Sequence, residues 1–282
     1  MLRYVEAKKI EKVVEELCFE ANIFLRSDVE KALKRSCCSE KKNSISREMM
    51  EILLENARIA RRKNLPICQD TGVATVFVDI GQNVVIKGGL LRDAVTRGVK
   101  ASYEKNCFRK SVVEDPLIRK NTGTNTPCIM HMDIVKGDRV KISVMPKGFG
   151  SENKSRIKMM NPTSTDKDIV DFCVETVKLA GPDACPPFIL GIGIGGTTEY
   201  SAYLAKKALL RPVGKYNPKK HIQKIEKNIQ KRVNGLKIGV MGLGGASTVL
   251  GVNIETAPTH IAGLPVAVNI SCHALRSATC KI

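Results

Sequence analysis

A chain of 282 residues, 43% of them hydrophobic, can bury a substantial core in one large domain or two small ones. Its formal net charge of +18 would suit nucleic acid, but only 4% of residues are aromatic and tryptophan is absent. Platforms for stacked bases are therefore scarce and no nucleic-acid partner is expected, whereas a basic field attracts small dianions. No run of about 18 uncharged apolar residues offers a membrane span, and the opening MLRYVEAKKIEKVVEEL interleaves charges where a signal peptide needs an apolar centre, so a cytoplasmic protein without membrane contact is expected.

Residues 1–63 read as a helical segment. Apolar Val5, Ile10, Val13, Val14 and Leu17 recur at three-to-four spacing within a helix over Val5–Leu25. Ser27-Asp28 caps a second helix through Lys34, and Ser46 with Glu48 opens a third, EMMEILLENARIARRK, stopped by Pro66. From residue 64 the texture changes to a mixed sheet with packed helices. ATVFVDI is a strand with GQN as its turn, and LLRDAVTRGVKASYEKN is a helix. The stretch NTGTNTPCIMHMDIVKGDRVKISVMPKG alternates β-branched residues around Lys136-Gly137-Asp138, which predicts a β-hairpin. TDKDIVDFCVETVKLAG is a helix between a cap at Thr165 or Asp166 and Gly181. PFILGIGIGG is a buried strand feeding the helix TTEYSAYLAKKALLR; HIQKIEKNIQKRVN is another helix; GLKIGVMGLGG and LPVAVNIS are strands. With no internal repeat or low-complexity linker, the expectation is a single α/β (α+β) domain over 1–282, a helical segment at 1–63 preceding a mixed α/β core at 64–282.

Two glycine-rich stretches invite nucleotide readings that their neighbours weaken. GIGIGG, Gly191–Gly196, matches a dinucleotide fingerprint, yet no acidic residue stands about twenty positions on, where RPVGKYNPKK falls. GLGGAST has Ala246 where a phosphate loop needs lysine. The glycines, with those of KGFGSEN, suit either tight turns under helix packing or backbone N–H groups held toward carboxylate oxygens.

Ten cysteines in a cytoplasmic chain are expected to be thiols or metal ligands rather than disulfides. No CxxC pair occurs, so a zinc ribbon or compact ferredoxin motif is excluded, and any metal site must gather distant cysteines. Cys18 and Cys173 fall inside helices as packing residues, Cys37 and Cys38 sit in a charged helix end, and Cys107 and Cys128 are ambiguous. Three others stand beside glycine, proline and polar residues: Cys68 in CQDTG, Cys185 in CPPF and Cys272 in NISCHALRSA. Their spacing alone does not establish a shared site.

The segments PICQDTG, PKGFGSENKS, CPPFILGIGIGGTTEYS, MGLGG and PTHIAGLPVAVNISCHALR, in this order, resemble the class I, iron–sulfur fumarate hydratases. They are most similar to the alpha subunit of the two-subunit fumarate hydratase and L-tartrate dehydratase family. The resemblance implies a [4Fe–4S] cluster held by Cys68, Cys185 and Cys272, with one iron left open as a Lewis acid. It implies that Gln69 binds a substrate carboxylate or hydroxyl, and that Asp70 orients the hydroxyl or takes part in proton transfer; without it, Asp70 reads as a turn-forming residue. It places Arg109 and His260 near substrate, the guanidinium suited to a bidentate carboxylate grip, and gives the GFGSEN loop, with Gly148 and Gly150, backbone contacts to substrate. His131 and His273 read as scaffold.

Two departures stand out. Ala246-Ser247 replaces a charged residue and a second threonine common in related sequences, and the chain ends at Ile282, where single-chain relatives continue into a domain supplying arginine, lysine and threonine contacts. A separate beta subunit carrying those groups is therefore expected, in a heterotetramer. The expected reaction is hydration of fumarate to (S)-malate, with dehydration of L-tartrate to oxaloacetate as the alternative. A more distant reading is a cluster-free basic scaffold or nucleic-acid-binding protein.

Overall fold

The computed structural model describes residues 2–282. In chain order the elements are β1 (Arg3–Glu6), α1 (Ala7–Ile23), α2 (Ser27–Ser39), α3 (Ile45–Lys63), β2 (Val73–Gly81), β3 (Val84–Lys87), α4 (Leu91–Lys105), β4 (Ile129–Val135), β5 (Val140–Lys147), α5 (Phe149–Glu152), β6 (Arg156–Met160), α6 (Asp166–Ala180), β7 (Phe188–Gly196), α7 (Thr198–Ala208), α8 (Lys220–Asn234), β8 (Val249–Thr259), β9 (Leu264–Ser271) and β10 (Ala278–Lys281). The class is α/β, as expected. The chain divides into two compact units, one of Met1–Arg26, Ile59–Phe149 and Arg276–Ile282, the other of Ser27–Arg58 and Gly150–Leu275.

The first unit is built on a four-stranded sheet in the order β10-β5-β2-β4, with β1 and β3 as a separate parallel pair. Ala74, Val76 and Val78 alternate along β2 onto one face. There they meet Ile10, Val14 and Leu17 of α1 and Val95 and Val99 of α4 in one buried core. Hydrophobic burial of that stripe is what holds α1 to the sheet.

The predicted hairpin is not formed. β4 runs parallel to β2 and β5 antiparallel to it, so β2 lies between the two supposed hairpin partners. The turn at Lys136–Asp138 crosses over the end of β2, whose Gly81 and Asn83 N–H groups donate to Arg139 O and Gly137 O. β2 is buried over most of its length and has two ladder edges to satisfy, so it outcompetes a direct β4–β5 pairing.

The second unit carries a sheet in the order β6-β9-β7-β8, with β7 parallel to β8 and antiparallel to β9. Leu190, Ile192 and Ile194 face α6 and α8 in a second core. The alternate positions Gly191 and Gly193 lie under α7: a Cβ there would come 2.0 Å from Ala205 O and from Ser201 O. GIGIGG is thus a strand shaved down so that a helix backbone can lie on it, and the packing explanation of these glycines holds. α6 starts on a capping box, with Asp168 accepting the Thr165 N–H at 2.7 Å and the Thr165 hydroxyl at 2.9 Å.

GLKIGVMGLGG is not a strand. It coils through a 3₁₀ turn at Val240–Gly242, with Gly239, Gly242, Gly244 and Gly245 all at positive φ, and the strand of this region is β8 instead. Its GLGGAST loop is filled from within the unit. The buried Glu40 carboxylate accepts the N–H groups of Ala246 and Ser247 at 3.0 and 3.1 Å and the Ser46 hydroxyl at 3.1 Å. An internal anion occupies the backbone nest that the sequence suggested for a phosphate.

Candidate active site

In the first unit the CQDTG loop leads into β2 and is tied to its surroundings at several residues. Ile67 N–H donates to Asn22 O at the end of α1. The Thr71 hydroxyl donates to Arg109 O at 2.7 Å, and the buried Tyr103 hydroxyl to Thr71 O at 2.6 Å. Asn125 Nδ2 donates to Gly72 O at 3.0 Å. Burial raises the Tyr103 hydroxyl's pKa above its ordinary range, so it acts here as a neutral donor.

On this frame Cys68 is half-buried, with its Sγ 3.2 Å from Gln69 Oε1, and Gln69 is exposed. Asp70 Oδ1 accepts the Gly72 N–H at 3.0 Å, and Oδ2 accepts the Phe149 N–H at 2.9 Å. The Asp70 carbonyl accepts from Nη2 of the buried Arg276 at 2.8 Å. Asp70 thus makes the turn expected of it on local grounds and also fastens the start of the GFGSEN loop. Gly148 lies so close that a Cβ there would stand 3.1 Å from Asp70 Oδ2. Arg109 is joined to the loop through its carbonyl while its side chain is exposed. Cys68, Gln69, Asp70, Gly148 and the backbone of Arg109 therefore form one local cluster.

In the second unit Cys185 sits in a left-handed conformation, φ 55° and ψ 67°, after the 3₁₀ turn Gly181–Ala184. The His273 N–H donates to Cys185 O at 3.3 Å, and Nδ1 lies 3.1 Å from the same oxygen. That contact brings Cys272, at the end of β9, to the segment of Cys185; both thiols are half-buried and outside any disulfide. Gly150 lies at the same turn, its missing Cβ 3.9 Å from Asp183 O. Glu152, on the same loop, pairs with Lys206 and accepts from Asn269 Nδ2 at 3.0 Å, so the loop is anchored to α7 and β9.

His260 is placed differently. It lies in the exposed turn between β8 and β9, at the opposite end of β9 from Cys272. Eight strand residues put roughly 23 Å between these ends at about 3.3 Å per step. Its Nδ1 accepts the Ala262 N–H at 3.1 Å, which leaves the ring proton of the neutral form on Nε2, pointing a donor outward. His131 stacks on Phe77 with ring centroids 5.2 Å apart, as a scaffold residue would.

Burial separates the cysteines chemically. It raises the pKa of the Cys18, Cys37 and Cys128 thiols, and pushes Cys173 up to about 12. In each of these four the thiolate is disfavoured relative to a free cysteine. Among the described residues no three His, Cys, Asp or Glu side chains gather as a metal-binding group, and Cys68 belongs to one unit while Cys185 and Cys272 belong to the other. No helix among the described residues is long and apolar enough to cross a membrane. The support from Arg276, Glu152 and Asn269 was not anticipated. Arg276 lies in the quoted CHALR segment, but only its burial identifies the role.

The profile of the fumarate hydratase (Fumerase) family matches residues 11–281. A chain of Methanocaldococcus jannaschii, carrying the provisional name L(+)-tartrate dehydratase subunit alpha, is 41% identical over 283 residues, 97% of this chain and 98% of that one. The L(+)-tartrate dehydratase subunit alpha of Escherichia coli K12 is 33% identical over 241 residues, 84% of this chain and 79% of that one. Matches of this extent define a hydro-lyase. The chain belongs to the fumarate hydratase family.

Proposed function

We propose that the chain is the alpha subunit of an iron–sulfur hydro-lyase that reversibly hydrates fumarate to (S)-malate, a step of the tricarboxylic acid cycle, in the cytoplasm. The observation that carries this reading is the family match across nearly the whole chain. A second reading, dehydration of L-tartrate to oxaloacetate, is favoured by the names of the two relatives above. The substrates differ by a hydroxyl, so a few polar contacts decide between them.

The family membership, together with the thiol chemistry of three loop cysteines, supports a [4Fe–4S] cluster with three cysteine ligands. Cys68, Cys185 and Cys272 are loop-borne and half-buried, the last two drawn together by the His273 contact, whereas Cys18, Cys37, Cys128 and Cys173 are buried. Cys68, Cys185 and Cys272 would hold the cluster, whose open iron would supply Lewis-acid activation of the hydroxyl being added or removed. The chain's own groups would do the rest. Gln69 and Arg109, exposed on the CQDTG side, would grip a carboxylate. The backbone at Gly148 and Gly150 would approach substrate closely. Asp70, held by two N–H donors, would orient the hydroxyl or move its proton. For His260 the carboxylate-donating role requires its turn to meet the site of a second copy, because β9 separates it from Cys272 in its own chain. A beta subunit would complete the site in a heterotetramer, as the alpha-subunit names of the relatives suggest.

The test is anaerobic purification, alone and with the beta subunit, followed by parallel assays on fumarate and L-tartrate. A brown protein with about four irons per chain is expected, with hydration of fumarate appearing only when the beta subunit is added. Replacing Cys68, Cys185 or Cys272 by Ala should abolish colour and activity, while Cys107→Ala leaves both unchanged. A colourless, iron-free chain after anaerobic reconstitution would refute the reading.

A further inference from the structure

The second unit holds a cavity of about 440 Å³ along the outer edge of β8, bounded also by α2, α8 and the segment after α7. The sheet order β6-β9-β7-β8 puts β7 and β9, whose ends adjoin Cys185 and Cys272, on the other side of β8. None of the residues assigned above to cluster or substrate lines this space.

Its charge has one sign. Arg35 of α2 and Lys215 line it, and among the described residues no acidic side chain does. Neither cation has a hydrogen bond from its side chain or an ion pair among the described residues. Lys34, the neighbour of Arg35, pairs with Glu30 at 2.6 Å, so α2 has an acid to offer and Arg35 is turned away from it. The guanidinium lies over Gly214 instead, where a Cβ would stand 3.8 Å from Nη2.

The other donors are equally unengaged. The hydroxyls of Ser36, Tyr216 and Ser247 line the same space and bond nothing among the described residues. Ser247 is only 6% exposed, and a hydroxyl so enclosed calls for a partner from outside the chain. The Glu40 carboxylate that reaches this loop already accepts the Ala246 and Ser247 N–H groups and the Ser46 hydroxyl. Along β8, Leu250 O accepts from Gln230, and Ile254 bonds Glu226 and Asn217 through its N–H and C=O. Val252, between them, therefore also turns its peptide groups away from β7, adding a backbone donor and acceptor to the cavity wall.

A guanidinium, an ammonium and convergent hydroxyls are the donor set that receives a phosphate dianion. The volume exceeds what a bare phosphate fills: at roughly 30 Å³ per water it holds on the order of ten waters. We propose that this cavity binds an organic phosphate, a phosphate monoester on a small polyhydroxyl skeleton. Arg35, Lys215, Ser36 and Ser247 hold the dianion, and the peptide groups of Val252 meet the skeleton's hydroxyls. Hydration of fumarate neither uses nor releases phosphate, so the site stands apart from that reaction and is tested by binding alone.

The experiment is calorimetric titration of the full chain with ribose 5-phosphate, inorganic phosphate, ribose and succinate. Ribose 5-phosphate should bind saturably with a Kd of about 1 mM or tighter, inorganic phosphate more weakly, and ribose not at all. Arg35→Ala and Lys215→Ala each remove an exposed side chain that bonds nothing, so both should fold, and each should weaken binding roughly tenfold. Lys136→Ala, which deletes an exposed charge of the first unit, should leave binding unchanged. Ser247→Ala removes a hydroxyl without a partner and should weaken binding while the thermal midpoint holds. No saturable binding of ribose 5-phosphate, undiminished binding in Arg35→Ala or Lys215→Ala, or an equal loss in Lys136→Ala would overturn the proposal. So would succinate or inorganic phosphate binding as tightly as ribose 5-phosphate.

Discussion

Asp70 combines two demands on one carboxylate. Its oxygens accept backbone N–H groups from Gly72 and Phe149, so it fixes the loop that carries Cys68 and the loop that carries Gly148. In Asp70→Asn, one of these N–H groups would face an amide NH₂ instead of an acceptor. An unsatisfied donor of this kind costs roughly 1–3 kcal/mol. The variant should show that loss in its denaturation midpoint, besides any loss of turnover; unchanged stability would mean that the two bonds contribute nothing. At this scale the sequence was informative about local geometry and much less so about support. The turn at Asp70 follows from an Asx residue before Thr-Gly. Arg276 behind it and the Glu152 bond to Asn269 on β9 do not, because their partners are distant in the chain and nothing in their own neighbours marks these contacts. Likewise the Glu40 carboxylate inside GLGGAST was unreadable: it comes from a helix end about 200 positions earlier.

Among the elements, β7 and α7 show how composition encodes contact. Gly193→Ala would place a Cβ 2.0 Å from Ser201 O and 2.7 Å from Ala205 N, backbone atoms that cannot rotate away. The helix must lift off the sheet, and overpacking of this kind costs about 1–3 kcal/mol. A lowered thermal midpoint for Gly193→Ala, against little change for a Gly263→Ala control, where a Cβ would meet nothing closer than 3.9 Å, would bear this out; equal effects would not. The long periodic helices were legible because their apolar faces repeat with the helical period. The strands were legible as extended segments but not by partner. The hairpin expectation failed because adjacency in sequence does not reveal that β2 is inserted between β4 and β5. β8 was overlooked beside a glycine-rich coil, and β1, β3, β6 and β10 are only four or five residues long, too short for alternation to register. The start of α6 also carries a pH dependence. Backbone and hydroxyl hydrogen bonds from Thr165 depress the Asp168 carboxyl below its ordinary 3.8. A depressed folded-state pKa means stability present above that value and lost as pH falls through the folded one. The acid limb of a stability profile below about pH 4 should therefore flatten in Asp168→Asn, by a small amount because the group is exposed.

For the whole molecule, the +18 charge is a property of the field rather than of the fold. Its expected consequence is kinetic. kcat/KM for a dicarboxylate should fall as ionic strength rises from about 0.01 to 0.15 M, over which the screening length shortens from about 30 to 8 Å. A flat salt profile would assign the charge to some other role.

The chain enters and leaves each unit more than once, and β10 belongs to the first unit although it follows every residue of the second. Val140 and Ile282 exchange backbone hydrogen bonds at 2.8 and 3.0 Å beside the β10–β5 ladder. On the ribosome, then, the first sheet waits. β5 emerges with one edge bare and stays so while more than a hundred further residues are made, and a premature stop anywhere before β10 leaves an unfinished sheet rather than a finished half-protein.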